Sequence, residues 1–473
     1  MKGDCFTNRE QKDMSNLHTH DNKRSSFSGK LGYVLSAAGA SVGLGNIWRF
    51  PYLAAKYGGG IFLLIYILLA LTFGYTMIIA ESALGRMTRK SPVGAFHAFG
   101  KAGWLSAGGW INAIIPVLIV PYYSVIGGWV IKYLIEYIRG NGKMLAADGY
   151  FSEFISDGVS TELCFILFCL FTLTIIYAGV RNGIERVSKF MMPILIVLSV
   201  LIAVYSVTRP GAMEGVKYFL VPNVKNFSWM TVVAAMGQMF YSLSIAMGIL
   251  ITFGSYMKKE TSLEDSTRNV EVFDTAIAIM AGLMIIPAVF AFSGGDPDTL
   301  QAGPALMFIT IPKVFENMGF GTVVGILFFL LVLFAAVTSS IALTESAVST
   351  FEDELGWSRR RATVLVGVIM IALGSLSSLG YGPLVGIKII GMQFLDFFDF
   401  LTNSVMMPIA AMLTSLFVSR IVGMKRMEEE IMHGESTFRR KKIFIVMIKY
   451  LCPVFALIIL ISSVANAFGW IAM

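Results

Sequence analysis

Four stretches of the chain set polar groups among residues that belong in oil. Gly39-Ala40-Ser41-Val42-Gly43-Leu44-Gly45-Asn46 holds three glycines in eight residues of an apolar run, a costly composition for a continuous helix. Phe240-Tyr241-Ser242-Leu243-Ser244-Ile245-Ala246-Met247-Gly248 is a weaker counterpart, with two hydroxyls and one glycine. Thr338-Ser339-Ser340 puts three hydroxyls side by side, and Asp274 is a bare acid within Val272-Phe273-Asp274-Thr275-Ala276-Ile277. Where a helix unwinds inside lipid, backbone carbonyls become free to ligate a cation and backbone amides to bind an anion. An intramembrane acid is by default a functional-site hypothesis. Spacing alone leaves a second reading open, in which the small residues serve only close helix packing.

The elements that must position these groups are read from composition. The chain has 473 residues, 56% hydrophobic and only 14% charged, against roughly 25% charged in an average soluble domain. Apolar runs near 31–56, 60–85, 105–137, 162–179, 190–208, 229–257, 272–293, 319–350, 362–378, 390–418 and 444–466 are each long enough to cross a hydrocarbon layer as a helix. The expectation is an all-α integral membrane protein with 11 transmembrane helices. The two interrupted runs are the first and the sixth. Interruptions in corresponding positions of two halves point to inverted repeats of five helices with a binding site at the breaks. The expected organisation is a tail at 1–30, a first repeat at 31–208, a second at 229–418, a loop at 419–443, and a last span with its tail at 444–473.

A polar, basic stretch precedes the first run, and no small-residue cleavage site follows it. The N-terminus is therefore expected in the cytoplasm, with Lys and Arg concentrated on that side and the C-terminus outside. The net charge of +7 then reports topology, not nucleic-acid binding. Cys5, Cys164, Cys169 and Cys452 lack metal-ligand spacing. None of the four His pairs with a Cys or Ser as an enzyme would need.

The run Gly43-Leu44-Gly45-Asn46-Ile47-Trp48-Arg49-Phe50-Pro51-Tyr52 followed by Gly58-Gly59-Gly60 resembles the signature of the neurotransmitter:sodium symporter family. So do Gly237-Gln238-Met239-Phe240-Tyr241-Ser242-Leu243-Ser244, Thr338-Ser339-Ser340-Ile341-Ala342 and Phe351-Glu352-Asp353-Glu354-Leu355. The resemblance runs from about Arg24 to Arg420, and eleven spans with a short second outer loop look like the bacterial branch. It implies two sodium sites. The first matches Ser41, Asn46 and Ser242, with Asp274 where an Asn is usual and the substrate's carboxylate completing the shell. The second matches the carbonyls of Gly39, Val42 and Ala335 with the hydroxyls of Thr338 and Ser339. Hard oxygen ligands of this kind suit a hard cation.

Animal members hold chloride with residues matching Tyr66, Gln238 and Ser242. Asp274 would supply that negative charge permanently, which implies chloride-independent transport. Arg49 and Asp399 match an outer charged gate above the aromatic lids Tyr123 and Tyr241; Arg24 and Asp353 match an inner gate, where Phe27 replaces the usual Trp. Gly183 and Pro193 resemble a helix-unwinding motif. Amine-carrying relatives have an Asp where this chain has Gly43, which implies a substrate with its own carboxylate. That group would meet sodium, the Gly45 amide and the Tyr123 hydroxyl. The ammonium would meet carbonyls of Ser41, Tyr241 and Ser242 beside Ser244, and the side chain a pocket of Ile119, Tyr241, Ala246, Met247, Ser340 and Leu343. With no opposite charge in that pocket, the expected cargo is a neutral apolar or aromatic amino acid. The competing expectation is a non-transporting amino-acid sensor or channel on the same fold.

Overall fold

The computed structural model describes residues 25–100, 103–293, 303–435 and 437–470. Among them the regular structure is helical, with only an isolated bridge between Ile389 and Met392. Nine helices among the described residues are long and apolar enough to cross a membrane. Two further apolar runs are broken. In chain order the elements used below are α1 (Lys30–Ser41), α2 (Phe50–Lys56), α3 (Gly60–Thr88), α4 (Gly103–Ile138), α5 (Gly158–Tyr177), α6 (Val180–Val207), α7 (Trp229–Ser242), α8 (Ile249–Ser255), α9 (Leu263–Ser293), α10 (Gly321–Leu355), α11 (Arg359–Leu379), α12 (Phe394–Val422), α13 (Met424–Ile431) and α14 (Lys441–Ala467).

Several helices outrun the apolar stretches that mark them. The run expected at 190–208 is the later part of α6, which starts at Val180, and that at 272–293 lies within α9, which starts at Leu263. Hydropathy marks only what lies in hydrocarbon, whereas helical hydrogen bonding continues into polar extensions. Large apolar side chains such as Leu163, Leu167 and Leu170 on α5 stand exposed. That is the expected outer surface where lipid is the solvent.

The first break follows Ser41. Val42 takes an extended ψ of 90°, its N–H still reaching the Ala38 carbonyl at 2.7 Å, and helical winding resumes as a wide turn, Gly45–Arg49, that leads into α2. The second break separates α7 from α8. Ser244, Ala246 and Gly248 there have φ of 53°, 60° and 69°, and the left-handed conformation costs a non-glycine residue roughly 1–2 kcal/mol. Tertiary bonds offset that cost: the Ala246 N–H donates to Glu81 Oε1 at 2.9 Å, and Ser244 Oγ to the Ala40 carbonyl at 3.1 Å. The second bond joins one break to the other.

Candidate functional site

The two breaks enclose a buried cavity. From the first come Ala40, Ser41, Gly43, Leu44, Gly45 and Asn46; from the second, Tyr241, Ser242, Ser244, Met247 and Ile249. Ile119 and Tyr123 of α4 and Ser339 and Leu343 of α10 complete the wall. No lining side chain is charged. Two residues expected in the wall lie behind it. Ala246 is fully buried with its amide committed to Glu81, and Ser340 is fully buried within hydrogen-bonding distance of Thr172, 3.3 Å between the hydroxyls. The cavity passes close to bare backbone: a Cβ on Gly43 would lie 2.6 Å from Ser339 Oγ and 3.2 Å from the Tyr123 hydroxyl, and one on Gly45 2.5 Å from the Tyr241 ring.

Beside the cavity, Asp274 of α9 is fully buried. Its Oδ1 accepts from Asn46 Nδ2 at 2.8 Å and Ser242 Oγ at 2.9 Å, and its Oδ2 from the Tyr66 hydroxyl at 3.0 Å. The fourth member of the expected anion pocket, Gln238, donates to the Gly45 carbonyl at 3.0 Å. Asn46 is placed with its nitrogen toward Asp274 and Ser242 and its oxygen accepting from the Gly43 N–H at 3.2 Å. Donors therefore converge on the carboxylate. Rotating the Asn46 amide would exchange only its own nitrogen for its oxygen, leaving the two hydroxyls as donors.

A second cluster lies between α1 and α10. Ser339 Oγ is 3.1 Å from the Ala40 carbonyl, 3.3 Å from that of Gly39 and 3.5 Å from that of Val42. Ser244 Oγ also donates to the Ala40 carbonyl, and the one Ser339 proton cannot serve both of the other two. The surplus of lone pairs is what a hard cation satisfies. Thr338 Oγ1 reaches back to the Phe334 carbonyl at 2.9 Å and the Ala335 carbonyl at 3.2 Å, and its Cβ would stand 3.2 Å from a Cβ on Gly39. The structure thus gathers Gly39, Val42, Ala335, Thr338 and Ser339 in one place.

Arg49 and Asp399, expected as the outer gate, each have other partners. The Arg49 guanidinium lies 5.2 Å from the centroid of the Tyr241 ring, while Asp399 accepts from the Tyr122 hydroxyl at 3.2 Å and from Asn403 Nδ2 at 2.5 Å. At the end carrying the N-terminal segment, Phe27 is buried edge-on among Tyr33, Phe253 and Tyr256, and its N–H donates to the Tyr256 carbonyl at 3.1 Å. Ser28 bonds Glu185 through its amide at 2.9 Å and through its hydroxyl. Asp353 accepts from the Ser91 N–H at 2.6 Å. Arg24, its expected gate partner, lies outside the described residues.

The sequence reading passed over the carbonyl of Ala40, the Leu44 and Ile249 walls, and Glu81. Glu81 sits in Ile78-Ile79-Ala80-Glu81-Ser82-Ala83, a bare acid in an apolar run like Asp274. The signal that found one would have found the other.

The model of the Sodium:neurotransmitter symporter family matches residues 24–145 and 151–469. The chain belongs to that family. An uncharacterized sodium-dependent transporter, YhdH, of Bacillus subtilis is 34% identical over 414 residues, covering 87% of this chain and 91% of its own. Another, from Haemophilus influenzae, is 32% identical over 461 residues, covering 94% and 100%. Among solved structures, that of MhsT in complex with L-phenylalanine superposes with a TM-score of 0.84 at 35% identity, covering 93% of this chain and all of that one. The resemblance read from the glycine-rich and hydroxyl-rich motifs is borne out. As a member of the sodium:neurotransmitter symporter family, the chain is a transmembrane protein of sodium-dependent transport.

Proposed function

We propose that this chain carries a neutral apolar or aromatic amino acid across a bacterial inner membrane together with sodium, independently of chloride. Counting the two broken helices with the nine long ones makes eleven crossings, arranged as inverted repeats at 31–208 and 229–418, with the N-terminus cytoplasmic and the C-terminus outside. Sodium is cargo. One ion would lie among Ser41, Asn46, Ser242 and Asp274, and the other among Gly39, Val42, Ala335, Thr338 and Ser339.

The observation that carries the reading is the meeting of both helix breaks at one uncharged cavity, flanked by a buried carboxylate and by a surplus of carbonyls. An amino acid brings one charge of each sign. Its carboxylate suits a place beside sodium and the Gly45 amide, and its ammonium the carbonyls freed at the breaks. An ionised side chain would have no partner among the lining residues, and an unpaired buried charge costs several kcal/mol. The bound L-phenylalanine of the similar MhsT structure supports the same class of cargo. Arg49 and Asp399 serve as the outer gate and Asp353, with Arg24, as the inner one. The packing of Phe27 among Tyr33, Phe253 and Tyr256 at the N-terminal end supports alternating access over an open pore.

The test is purified protein in liposomes under an inward sodium gradient, screened with all twenty amino acids. Uptake confined to neutral apolar or aromatic ones is expected. Preference for a charged amino acid would overturn the substrate class.

A further inference from the structure

We infer that Arg440, in the link between α13 and α14, is a positioning residue for the pocket around Asp274. The inference rests on the reading of Asp274 as a sodium ligand. The Arg440 guanidinium stands between α3 and α9 and holds both. Its Nη1 donates to Glu271 of α9, 3.0 Å to Oε2 and 3.3 Å to Oε1, and to the Leu71 carbonyl of α3 at 3.3 Å. Its Cζ lies 4.5 Å from the centroid of the Tyr75 ring, also on α3. The segment that bears it is pinned separately: the amides of Arg439 and Arg440 donate to Glu264, at the start of α9, at 3.1 and 3.4 Å.

One of these helices bears Asp274 and the other bears Tyr66, which bonds it alongside Asn46 and Ser242. Glu271 precedes Asp274 by three residues, so the two acids lie on one helical face, and both are buried. Leu71 belongs to the wide turn Ala70–Gly74, which follows the turn of α3 that carries Tyr66. Tyr66 donates to Asp274 Oδ2 at 3.0 Å. Arg440 therefore sets the separation of α3 and α9 close to the Tyr66–Asp274 contact. It also compensates the buried negative charge nearest to Asp274 along α9. None of the groups that Arg440 contacts lines the cavity, so the effect of losing it is read in sodium binding without substrate.

The test uses full-length protein carrying Arg440→Gln, Arg440→Lys, Glu271→Gln, or Glu271→Gln with Arg440→Gln, and measures binding of radioactive sodium alone, beside melting in sodium-free buffer. Arg440→Gln is expected to raise the sodium half-saturation about tenfold, the low end of the cost of losing a residue that orients a metal ligand. Arg440→Lys keeps the charge with fewer hydrogen bonds and is expected to fall in between, and it serves in place of Arg440→Gln if that variant does not fold. In the double variant the two amides still bond across the helices with no unpaired charge, so sodium affinity is expected to recover most of the way.

Wild-type sodium affinity in Arg440→Gln, while Asp274→Asn is weakened, would overturn the inference and leave the sodium site standing. A double variant no better than Arg440→Gln would show that Arg440 serves the fold and not Glu271. Unchanged binding in Asp274→Asn would overturn the underlying reading of that residue.

Discussion

Replacing Asp274 with Asn should leave a carrier that binds sodium weakly unless an anion is supplied. A cation held between Asp274 and the Asn46 oxygen lies within about 4 Å of the centre of the carboxylate charge. At an effective dielectric constant of about 20 that attraction is about 4 kcal/mol. Its loss weakens binding by up to about 10³-fold, at 1.4 kcal/mol per decade. The fold should survive, because the Ser242 and Tyr66 hydroxyls that now donate to Asp274 can turn to accept from an amide. The assay is thermal stabilisation of the purified protein by sodium, titrated in chloride and in gluconate. Sodium at a hundred times its dissociation constant stabilises by about 2.7 kcal/mol, so wild type should gain a clear rise in melting temperature in either salt. The Asn variant should gain almost none in gluconate and regain part of it in chloride, held by Tyr66, Gln238 and Ser242. An Asn variant indistinguishable from wild type in gluconate, or a wild type that needs chloride, would show that the Asp274 charge does not hold sodium.

Thr338→Val with Ser339→Ala removes the two hydroxyls of the second cluster and should raise the sodium concentration for half-maximal uptake by about ten- to a hundredfold, with the protein still in the membrane. Unaltered sodium activation would show that they only pack. Gly43→Asp should abolish amino-acid binding, because a Cβ there already stands 2.6 Å from Ser339 Oγ and the new carboxylate takes the place of the substrate's; retained binding of radiolabelled amino acid contradicts this. Glu81→Ala should lower stability by about 1–3 kcal/mol, the cost of leaving the buried Ala246 amide unpaired, read as a lower melting temperature.

Local composition announced the first break well and the second poorly. At the first, glycines at positions 39, 43 and 45 let neighbouring elements approach bare backbone, and that need is written where the break occurs. At the second, two of the three left-handed residues are Ser244 and Ala246. Their conformation is held by Glu81, on α3, and by the Ala40 carbonyl, on the far side of the cavity. A window around Met247 contains neither. The acid at 274 stood out because lipid tolerates no idle carboxylate, whereas its Tyr66 and Asn46 partners came from resemblance. Ser340 was placed in the wall by analogy, and its hydroxyl lies instead beside Thr172. Arg440 reads as one more solvated positive charge in Arg439-Arg440-Lys441-Lys442; only the packing of α3 against α9 gives it a partner.

The central claim is that sodium and an amino acid move together. Liposomes containing the purified protein, loaded with potassium and placed in sodium with a trace of labelled amino acid, measure this directly. Coupling predicts that the internal concentration rises above the external one and falls back when a sodium ionophore dissipates the gradient. Uptake that stops at equal concentrations, or that proceeds as well with potassium on both sides, would contradict coupled transport and favour a channel.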